Sequence, residues 1–350
     1  MKQIYTFTVI LFFSLINLNA QTPIDVITGL NKPYGIELIA NELYIAEYGS
    51  NKISKIDITS ASPTATDVVT GLSRPVSIVV NNNNLFIAEY TGGKISKIDF
   101  TSASPTATDV VTGLSTPASI VLHNNDLYIA EFGGNKISKI DITSATPTAT
   151  DVVTGLNGPF GIELIGNELY IAEFSGNKIS KIDITSQSPT AIDVVTGLNG
   201  PGSLEITGNE LFIVELGAGK ISKINVTSAT PTSTDIVSGL GQPRSIKQLD
   251  SDLLIAEASA NKISKLEGVI LSTSDFQRNA NILLYPNPSS DFIQVSGLTI
   301  SENYKIYNVL GKKISTGIII NNEKINIQNL TKGLYFLEFE NGNKLKFIKK

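Results

Sequence analysis

The sequence predicts an all-β protein in which a six-bladed β-propeller, closed by its N-terminal strand, is followed by a small C-terminal β-sandwich. Three observations lead to this fold. A pattern with a period of 42 residues recurs six times between about residues 24 and 267. Each unit is rich in Ile, Val, Thr and Tyr, which favour strands, and is broken by Pro, Gly and Asn too often for a helix. The repeat then stops, and a segment of different composition follows Gly268.

Every unit carries the same landmarks in the same order. A Gly-Leu pair comes first, with its glycine at Gly29, Gly71, Gly113, Gly155, Gly197 and Gly239. A proline follows each pair, and then come a segment such as LYIAE at residues 43–47 and one such as KISK at residues 52–55. In the first unit these landmarks predict four short strands, at about residues 35–39, 43–48, 52–58 and 66–70. Four strands per unit around a central axis is the plan of a propeller blade.

The two ends of the repeat array complement each other. An extra copy of the fourth strand, IDVIT at residues 24–28, precedes the first complete unit, and no such strand follows Leu266 in the last unit. We therefore expect the N-terminal strand to pair into the last blade as its outermost strand. This pairing would close the ring and remove two exposed edges that favour aggregation.

The pattern P-x-G-I…N-x-L-Y-I-A-E…G-x-N-K-I-S-K-I-D resembles NHL-type repeats and the wider group of six-bladed propellers that includes the gluconolactonase-like proteins. The resemblance covers roughly residues 24–267. It implies the architecture and leaves the function open, because one fold hosts many functions.

The C-terminal region carries a different pattern. Apolar residues alternate in LLYPNPSSDFIQV (283–295), YKIYNVLGKKI (304–314) and INIQNLTKGLYFLEF (325–339), and a basic end, KLKFIKK (344–350), follows. Alternation with Gly turns predicts a small β-sandwich. An ordinary immunoglobulin-like adhesive module is one interpretation of such a domain.

These segments resemble the type A C-terminal sorting domain of the type IX secretion pathway of Gram-negative bacteria. The matching features are Pro286-Asn287-Pro288, the Tyr307-Asn308…Gly311-Lys312 turn, Lys332-Gly333-Leu334-Tyr335 and the basic tail. The resemblance implies that the type IX machinery recognises residues 282–350 at the outer membrane and removes them. The remainder is then released or attached at the cell surface.

The first 20 residues are predicted to be a signal peptide. Lys2 supplies a positive start, residues 10–18 (ILFFSLINL) form a short apolar run, and Ala20 is a small residue before the expected cleavage point. The run is too short for a typical membrane span, and no Cys follows for lipoprotein anchoring. A buried N-terminal helix is the alternative, but nothing in the run is amphipathic. We thus expect a propeller over residues 21–270 and a linker over residues 271–281, with no transmembrane segment in the mature chain.

Composition excludes several functional classes. The 27 basic and 32 acidic residues give a net charge of -5, whereas nucleic-acid binding requires a basic stripe. There is no Cys, which rules out disulfides and thiolate sites, and the single His123 argues against His-based catalysis or a multi-His metal site. His123 falls at a turn between strands, where we interpret it as an ordinary loop residue.

A glutamate closes the second strand of every unit, and a lysine follows it five residues later. Six carboxylates around an axis could hold a divalent cation, but each could equally pair with its own lysine or with N–H groups of the turn. Because all six units share the residue, a structural role is favoured. The glutamates are Glu47, Glu89, Glu131, Glu173, Glu215 and Glu257.

Positions that differ between units are the candidates for ligand binding. The first set follows each conserved Pro and includes Tyr34, Phe160 and Arg244. The second set lies three residues further on in each unit, and its polar members are Glu37, Glu163, Glu205 and Lys247. Together they predict an asymmetric mouth with aromatic platforms, carboxylates and one guanidinium, which suits a glycan or a peptide segment. A third set follows each repeated glutamate and is expected to pack between blades. It consists of Tyr48, Tyr90, Phe132, Phe174, Leu216 and Ala258.

The leading functional hypothesis is a non-enzymatic binding or adhesion module without a cofactor, displayed at or released from the cell surface. The alternative is a metal-dependent hydrolase or lyase of the gluconolactonase-like type, whose ligand set cannot be mapped onto this sequence. The first unit opens with Asn31-Lys32-Pro33, for example, and has no Glu before that proline. A purely structural surface component is a third hypothesis.

Overall fold

A computed structural model describes residues 22–270, 283–296, 298, 301–309, 312–339 and 344–350. The predicted signal peptide, the whole predicted linker and Gly311 lie outside these residues. All regular elements within them are β-strands, so the all-β prediction is confirmed for the described part of the chain. The described residues contain no helix that is long and apolar enough to cross a membrane. The chain divides into two compact units, at residues 1–270 and 271–350.

The described part of the first unit contains six four-stranded antiparallel sheets. Five of them are built from four consecutive strands each. The first has β2 (Pro33–Ile39), β3 (Glu42–Glu47), β4 (Lys52–Asp57) and β5 (Thr66–Thr70). The second has β6 (Pro75–Asn81), β7 (Asn84–Glu89), β8 (Lys94–Asp99) and β9 (Thr108–Thr112). The third has β10 (Pro117–His123), β11 (Asp126–Glu131), β12 (Lys136–Asp141) and β13 (Thr150–Thr154).

The fourth sheet has β14 (Pro159–Ile165), β15 (Glu168–Glu173), β16 (Lys178–Asp183) and β17 (Ile192–Thr196). The fifth has β18 (Pro201–Thr207), β19 (Glu210–Glu215), β20 (Lys220–Asn225) and β21 (Thr234–Val237). The sixth sheet joins the two ends of the array. It has β22 (Pro243–Leu249), β23 (Asp252–Glu257), β24 (Lys262–Leu266) and β1 (Ile24–Thr28).

The apolar core lies between neighbouring sheets. In the second strand of every sheet, all residues but the first are buried, because one face packs on the preceding sheet and the other on the following sheet. This two-sided burial explains why segments such as LYIAE read as continuous apolar runs. The third strands of the first five sheets add two fully buried isoleucines each, such as Ile53 and Ile56, and that of the sixth sheet adds Ile263 and Leu266.

β1 pairs antiparallel with β24, and Ile27 lies opposite Ile263. Asp25 of β1 forms an ion pair with Lys262 at 2.6 Å, which repeats the Lys52–Asp67 pair of the first sheet at 2.5 Å. One core cluster contains both Ile36 of the first sheet and Ile263 of the sixth. The first and last sheets therefore pack against each other.

The second unit consists of two antiparallel sheets among its described residues. One has β25 (Leu283–Tyr285), β26 (Phe292–Ser296) and β29 (Lys324–Asn326). The other has β27 (Glu302–Asn308), β28 (Lys313–Ile319), β30 (Gly333–Phe339) and β31 (Lys344–Lys349). Both contribute to one core that includes Ile293, Ile306 and Phe347. The basic end predicted from the sequence is strand β31, in which the ring of Phe347 stacks on Tyr335 with centroids 5.6 Å apart.

Candidate ligand-binding site at the channel mouth

The first strands of all six sheets line a single cavity at the centre of the first unit. They are β2, β6, β10, β14, β18 and β22. The cavity has a volume of about 90 Å³, which is room for several water molecules. We call this cavity the channel, and the end that carries the residues after the conserved prolines the mouth. The channel itself is thus too narrow for a sugar ring or a side chain larger than a few atoms.

All seven variable residues that the sequence singled out line this cavity. They are Tyr34, Glu37, Phe160, Glu163, Glu205, Arg244 and Lys247. The strand pairing shifts register directly after Pro33, Pro159 and Pro243. Such an irregularity at a strand end redirects the following side chain. The register shift therefore occurs at Tyr34, Phe160 and Arg244, whose side chains lie at the mouth.

One side of the mouth is a stack of four side chains. The rings of Tyr34 and Tyr48 are parallel within 12°, with centroids 4.3 Å apart. The guanidinium of Arg244 lies over Tyr34 at 4.5 Å, and that of Arg74 lies over Tyr48 at 5.1 Å. Nη1 of Arg74 also donates a hydrogen bond of 3.0 Å to the hydroxyl of Tyr48. Burial is the main reason why the pKa of Tyr34 is raised above its ordinary value.

Arg74 is a member of this site that the sequence analysis missed. It precedes the conserved Pro75, at a position occupied by Lys32 in the first unit and by small or neutral residues elsewhere. Comparing this position between units would have identified it, because its charge is confined to two neighbouring units. Nothing in the pattern, however, indicates that its guanidinium stacks on Tyr48.

The other side of the mouth is a cluster of three phenylalanines. Phe160 lies 5.9 Å from Phe132 and 6.0 Å from Phe174, and Phe132 lies 6.2 Å from Phe174. Phe132 and Phe174 belong to the set that was expected to pack between blades. They are half-buried, and their mutual contact joins the third and fourth sheets, in line with that expectation. They also contact Phe160 at the mouth, which the spacing of residues along the chain could not show.

Below the mouth, charged residues occupy one half of the channel. The Nζ atom of Lys247 lies 3.1 Å from Oε2 of Glu37 and 3.9 Å from Oε2 of Glu205. The backbone N–H of Gln248 donates a 3.0 Å hydrogen bond to Glu205. The equivalent positions of the second and third sheets hold Val79 and Val121. The charged side chains of the channel therefore come from the first, fourth, fifth and sixth sheets, and none comes from the second or third.

Burial and mutual repulsion shift the pKa values of the channel carboxyls upward. Burial raises the pKa of Glu163 to about 8, with further contributions from Glu205 and Glu37, while Lys247 opposes the shift. Burial also raises the pKa values of Glu37 and Glu205 against the attraction of Lys247. For Lys247, burial lowers the pKa but Glu205 and Glu37 outweigh it, so that its pKa is raised. At neutral pH Glu163 is mostly protonated, and Lys247 is charged.

The repeated glutamates lie outside the channel and are buried at the ends of the second strands. In the first sheet, Glu47 accepts hydrogen bonds from the backbone N–H of Asn31 at 2.9 Å and from the hydroxyl of Ser54 at 2.7 Å. Lys52 lies 3.4 Å away and bridges to Asp67. The other sheets repeat the backbone bond and the lysine contact with Glu89, Glu131, Glu173, Glu215 and Glu257. Each carboxylate thus ties the strand end to the preceding loop.

Ligand groups for a metal are not assembled in the part of the chain that the structure describes. No three His, Asp or Glu side chains there lie close enough together to hold an ion. In the channel, the ammonium group of Lys247 already lies between two of the three carboxylates. His123 ends β10, opposite Asp126 in the ladder, and does not line the channel.

Comparison with known proteins identifies the second unit. Residues 283–350 match the family described as the secretion system C-terminal sorting domain. No curated protein matches the chain.

Solved structures share the fold of the first unit at low sequence identity. Virginiamycin B lyase from Staphylococcus aureus is 19% identical, with a TM-score of 0.53 over 70% of this chain and 97% of that one. A luciferin-regenerating enzyme is 12% identical, with a TM-score of 0.58 over 71% and 96%. A protein described as a putative gluconolactonase is 7% identical, with a TM-score of 0.57 over 71% and 92%.

These likenesses establish the fold of residues 22–270 and do not transfer an activity. The propeller architecture expected from the repeats is therefore supported, as is the sorting domain expected from the C-terminal motifs. Residues 283–350 are a C-terminal sorting domain, which indicates secretion through the type IX system to the cell surface or the medium, and the first unit has a propeller fold.

Proposed function

We propose that this protein is an extracellular binding module without a cofactor, whose mouth holds a segment of a glycan or peptide. The observation that carries the proposal is the convergence of all seven variable side chains on one cavity. Residues shared by every unit serve the fold. These seven residues differ from unit to unit, yet all of them line the same cavity. A specific site requires such an asymmetric set of groups on a rigid scaffold.

The scaffold that we propose is a six-bladed propeller closed by β1, after residues 1–20 have been removed as a signal peptide. The pairing of β1 with β24 and the shared core of the first and sixth sheets support a closed ring. A closed ring fixes the first strands of all blades relative to one another. It therefore holds the mouth side chains in place before a ligand arrives, which lowers the entropic cost of binding.

The mouth offers both apolar and polar contacts. The cluster of Phe132, Phe160 and Phe174 presents ring surface to the C–H groups of a ligand. The guanidinium of Arg244 supplies hydrogen-bond donors on the opposite side. The narrow channel beneath admits only small groups, so the ligand rests on the mouth and does not pass through the ring.

The metal-dependent hydrolase or lyase remains the competing proposal, and the charge arrangement in the channel favours binding over it. A catalytic metal needs several ionised carboxylates or imidazoles around it. Here Lys247 contacts both Glu37 and Glu205 and offsets one of their two negative charges, and Glu163 holds a proton at neutral pH. The three carboxyl groups and Lys247 therefore carry a net charge of about one negative unit, which is less than a divalent cation needs.

A binding screen on the full-length protein tests the proposal. Glycan and peptide arrays are probed with the wild type and with Phe160→Ala, once with calcium and once with EDTA. Phe100→Ala is the matched control, because Phe100 is a half-buried aromatic that packs on Tyr44 away from the mouth. We expect ligands that depend on Phe160, ignore Phe100 and bind equally with EDTA. Ligands that bind Phe160→Ala as well as the wild type would place the site elsewhere.

A further inference from the structure

The loops on the mouth face carry basic side chains and no acidic ones. Two sets of loops form this face, and a backbone hydrogen bond joins them in every sheet, as from Tyr48 N–H to the carbonyl of Lys32. The first set, before the prolines, is 29–32, 71–74, 113–116, 155–158, 197–200 and 239–242. The second set, after the repeated glutamates, is 48–51, 90–93, 132–135, 174–177, 216–219 and 258–261. Neither set contains Asp or Glu, whereas Lys32 and Arg74 belong to the first.

The two guanidinium groups of the mouth have no carboxylate partner among residues 22–270. The first lysine of each third strand, by contrast, binds a nearby aspartate, as Lys52 does with Asp67 at 2.5 Å. Arg74 and Arg244 contact tyrosine rings and form no ion pair in the described residues. The Nε atom of Arg244 is buried and has no hydrogen-bond partner there. A buried donor without an acceptor destabilises the free protein, and an anionic acceptor would remove this penalty.

The chemistry of the stack also limits what the ligand can contact. Both faces of the Tyr34 and Tyr48 rings are covered, because Arg244, Tyr34, Tyr48 and Arg74 follow one another in the stack. A ligand at this side therefore meets the planar edges of guanidinium groups. Guanidinium groups bind carboxylates through two parallel hydrogen bonds. The aromatic surface that remains open for packing belongs to the phenylalanine cluster on the other side.

We propose that the mouth recognises a glycan that carries carboxylate groups, with uronic acids as its charged units. This inference rests on the proposed binding function and names its ligand class. One carboxylate binds Arg244, the carboxylate of a separate sugar unit binds Arg74 at the other end of the stack, and the C–H face of a sugar ring packs on Phe160. Neutral side chains of the surrounding loops, among them Ser73 and Thr116, complement sugar hydroxyl groups.

An acidic peptide is less well matched to this face. Peptide segments are commonly recognised through free backbone groups, as when a strand adds to a sheet edge. The loops at the mouth use their backbone groups on each other, as in the bonds from Tyr90 to Arg74 and from Phe132 to Thr116. The mouth therefore offers side-chain contacts to a peptide, but no free backbone groups with which the peptide backbone could pair.

Calorimetric titration of the full-length protein with hexagalacturonate tests the proposal. The fully methyl-esterified hexamer is the matched neutral probe, and hexaglutamate is the peptide probe. We expect hexagalacturonate to bind, its neutral ester to bind at least about tenfold more weakly, and added salt to weaken the interaction. Arg244→Gln and Arg74→Gln should each reduce affinity about tenfold, because each removes one charged hydrogen-bonding partner.

The controls separate charge at the mouth from charge elsewhere. Lys97→Gln removes one positive charge from an exposed lysine of β8 that forms no ion pair in the described residues, and it should leave affinity unchanged. Arg244→Lys keeps the charge without the planar fork and should give intermediate affinity. Thermal unfolding of each variant shows whether the fold is retained, and Arg74→Gln, which lies outside the channel, remains informative if an Arg244 variant unfolds.

Three outcomes would overturn the inference. Equal binding of hexagalacturonate and its methyl ester would show that carboxylates are not recognised. If Phe160→Ala then abolished binding of both hexamers, the proposed binding function would still stand. Arg244-dependent binding of hexaglutamate without hexagalacturonate would assign the site to acidic peptides. Absence of hexagalacturonate binding to the wild type would reject the ligand class outright.

Discussion

The ammonium group of Lys247 lies 3.1 Å from the carboxylate of Glu37. These residues belong to the sixth and first sheets, which are the two ends of the repeat array. Lys247 also reaches Glu205 of the preceding sheet at 3.9 Å. A single cation thus links three neighbouring sheets through the wall of the channel.

Replacing Lys247 with methionine should destabilise the first unit at neutral pH. The change leaves the largely buried carboxylates of Glu37 and Glu205 without a counter-charge. Removal of one partner from such a group costs about 2–3 kcal/mol after allowance for solvent screening. Urea unfolding at pH 7 measures the loss, and Lys97→Met is the exposed control. Adding Glu37→Gln should restore part of the stability. A double variant no more stable than the single one would contradict a role for this pair.

Glu163 should make the stability of the first unit depend on pH. Its pKa is raised by burial from 4.5 to about 8, so the folded chain holds the proton more tightly than the unfolded chain. Its stabilising contribution is complete below about pH 4.5 and is lost as the pH rises to about 8. We expect Glu163→Gln to unfold at a higher temperature than the wild type at pH 8 and at a similar one at pH 4.5. Glu267→Gln is the matched control, because it makes the same substitution at an exposed residue.

Two equivalent serines should respond differently to the same substitution. Ser138 donates a 2.6 Å hydrogen bond to Glu131, whereas Ser96 and Oε1 of Glu89 are buried and have no hydrogen-bond partner in the described residues. Ser138→Ala should therefore cost about 1–2 kcal/mol of unfolding free energy, and Ser96→Ala close to nothing. Chemical denaturation of the two variants provides the comparison. Equal losses would mean that Ser96 forms the bond as well.

Removal of residues 21–29 should destabilise the entire first unit and not only its last sheet. The deletion removes β1, exposes the edge of β24 and opens the contact between the first and sixth sheets. We expect the melting temperature to fall by roughly 10 °C, as a loss of ~4 kcal/mol gives in a domain of this size. Asp25→Ala removes only the exposed ion pair with Lys262 and should have little effect. A deletion variant that melts like the wild type would disprove closure by β1.

Folding of the sorting domain should be required for export. Phe347 is fully buried against Tyr335, and its replacement by alanine removes about 3–5 kcal/mol of stability, which a domain this small cannot spare. In a bacterium with type IX secretion, Phe347→Ala should remain inside the cell, as immunoblots of cells and medium would show. The neighbouring Ile348 is 47% exposed, and Ile348→Ala should be exported normally. Normal export of Phe347→Ala would show that the machinery reads a linear signal.

The periodicity of the sequence predicts the strands and much of the site. A 42-residue repeat with Gly-Leu, Pro and Glu at fixed places determines where each strand starts and which residues face inward. Positions that vary within that pattern, such as Tyr34, Glu163 and Arg244, all line the channel in the structure. The C-terminal motifs likewise predict the sorting domain. Local backbone geometry depends mainly on neighbouring residues in the sequence. The repeat therefore produces the same strands and turns six times.

Contacts between sheets were decided by the tertiary structure alone. The stacking of Arg74 on Tyr48, the position of Lys247 between Glu37 and Glu205, and the raised pKa of Glu163 all depend on distances across neighbouring strands. Sequence patterns contain the spacing along the chain, but side-chain electrostatics depends on separation and burial in space. The sequence by itself therefore determined which residues reach the channel and its mouth. The packing of the sheets decided the protonation states, the ring stacking and the ion pairs of those residues.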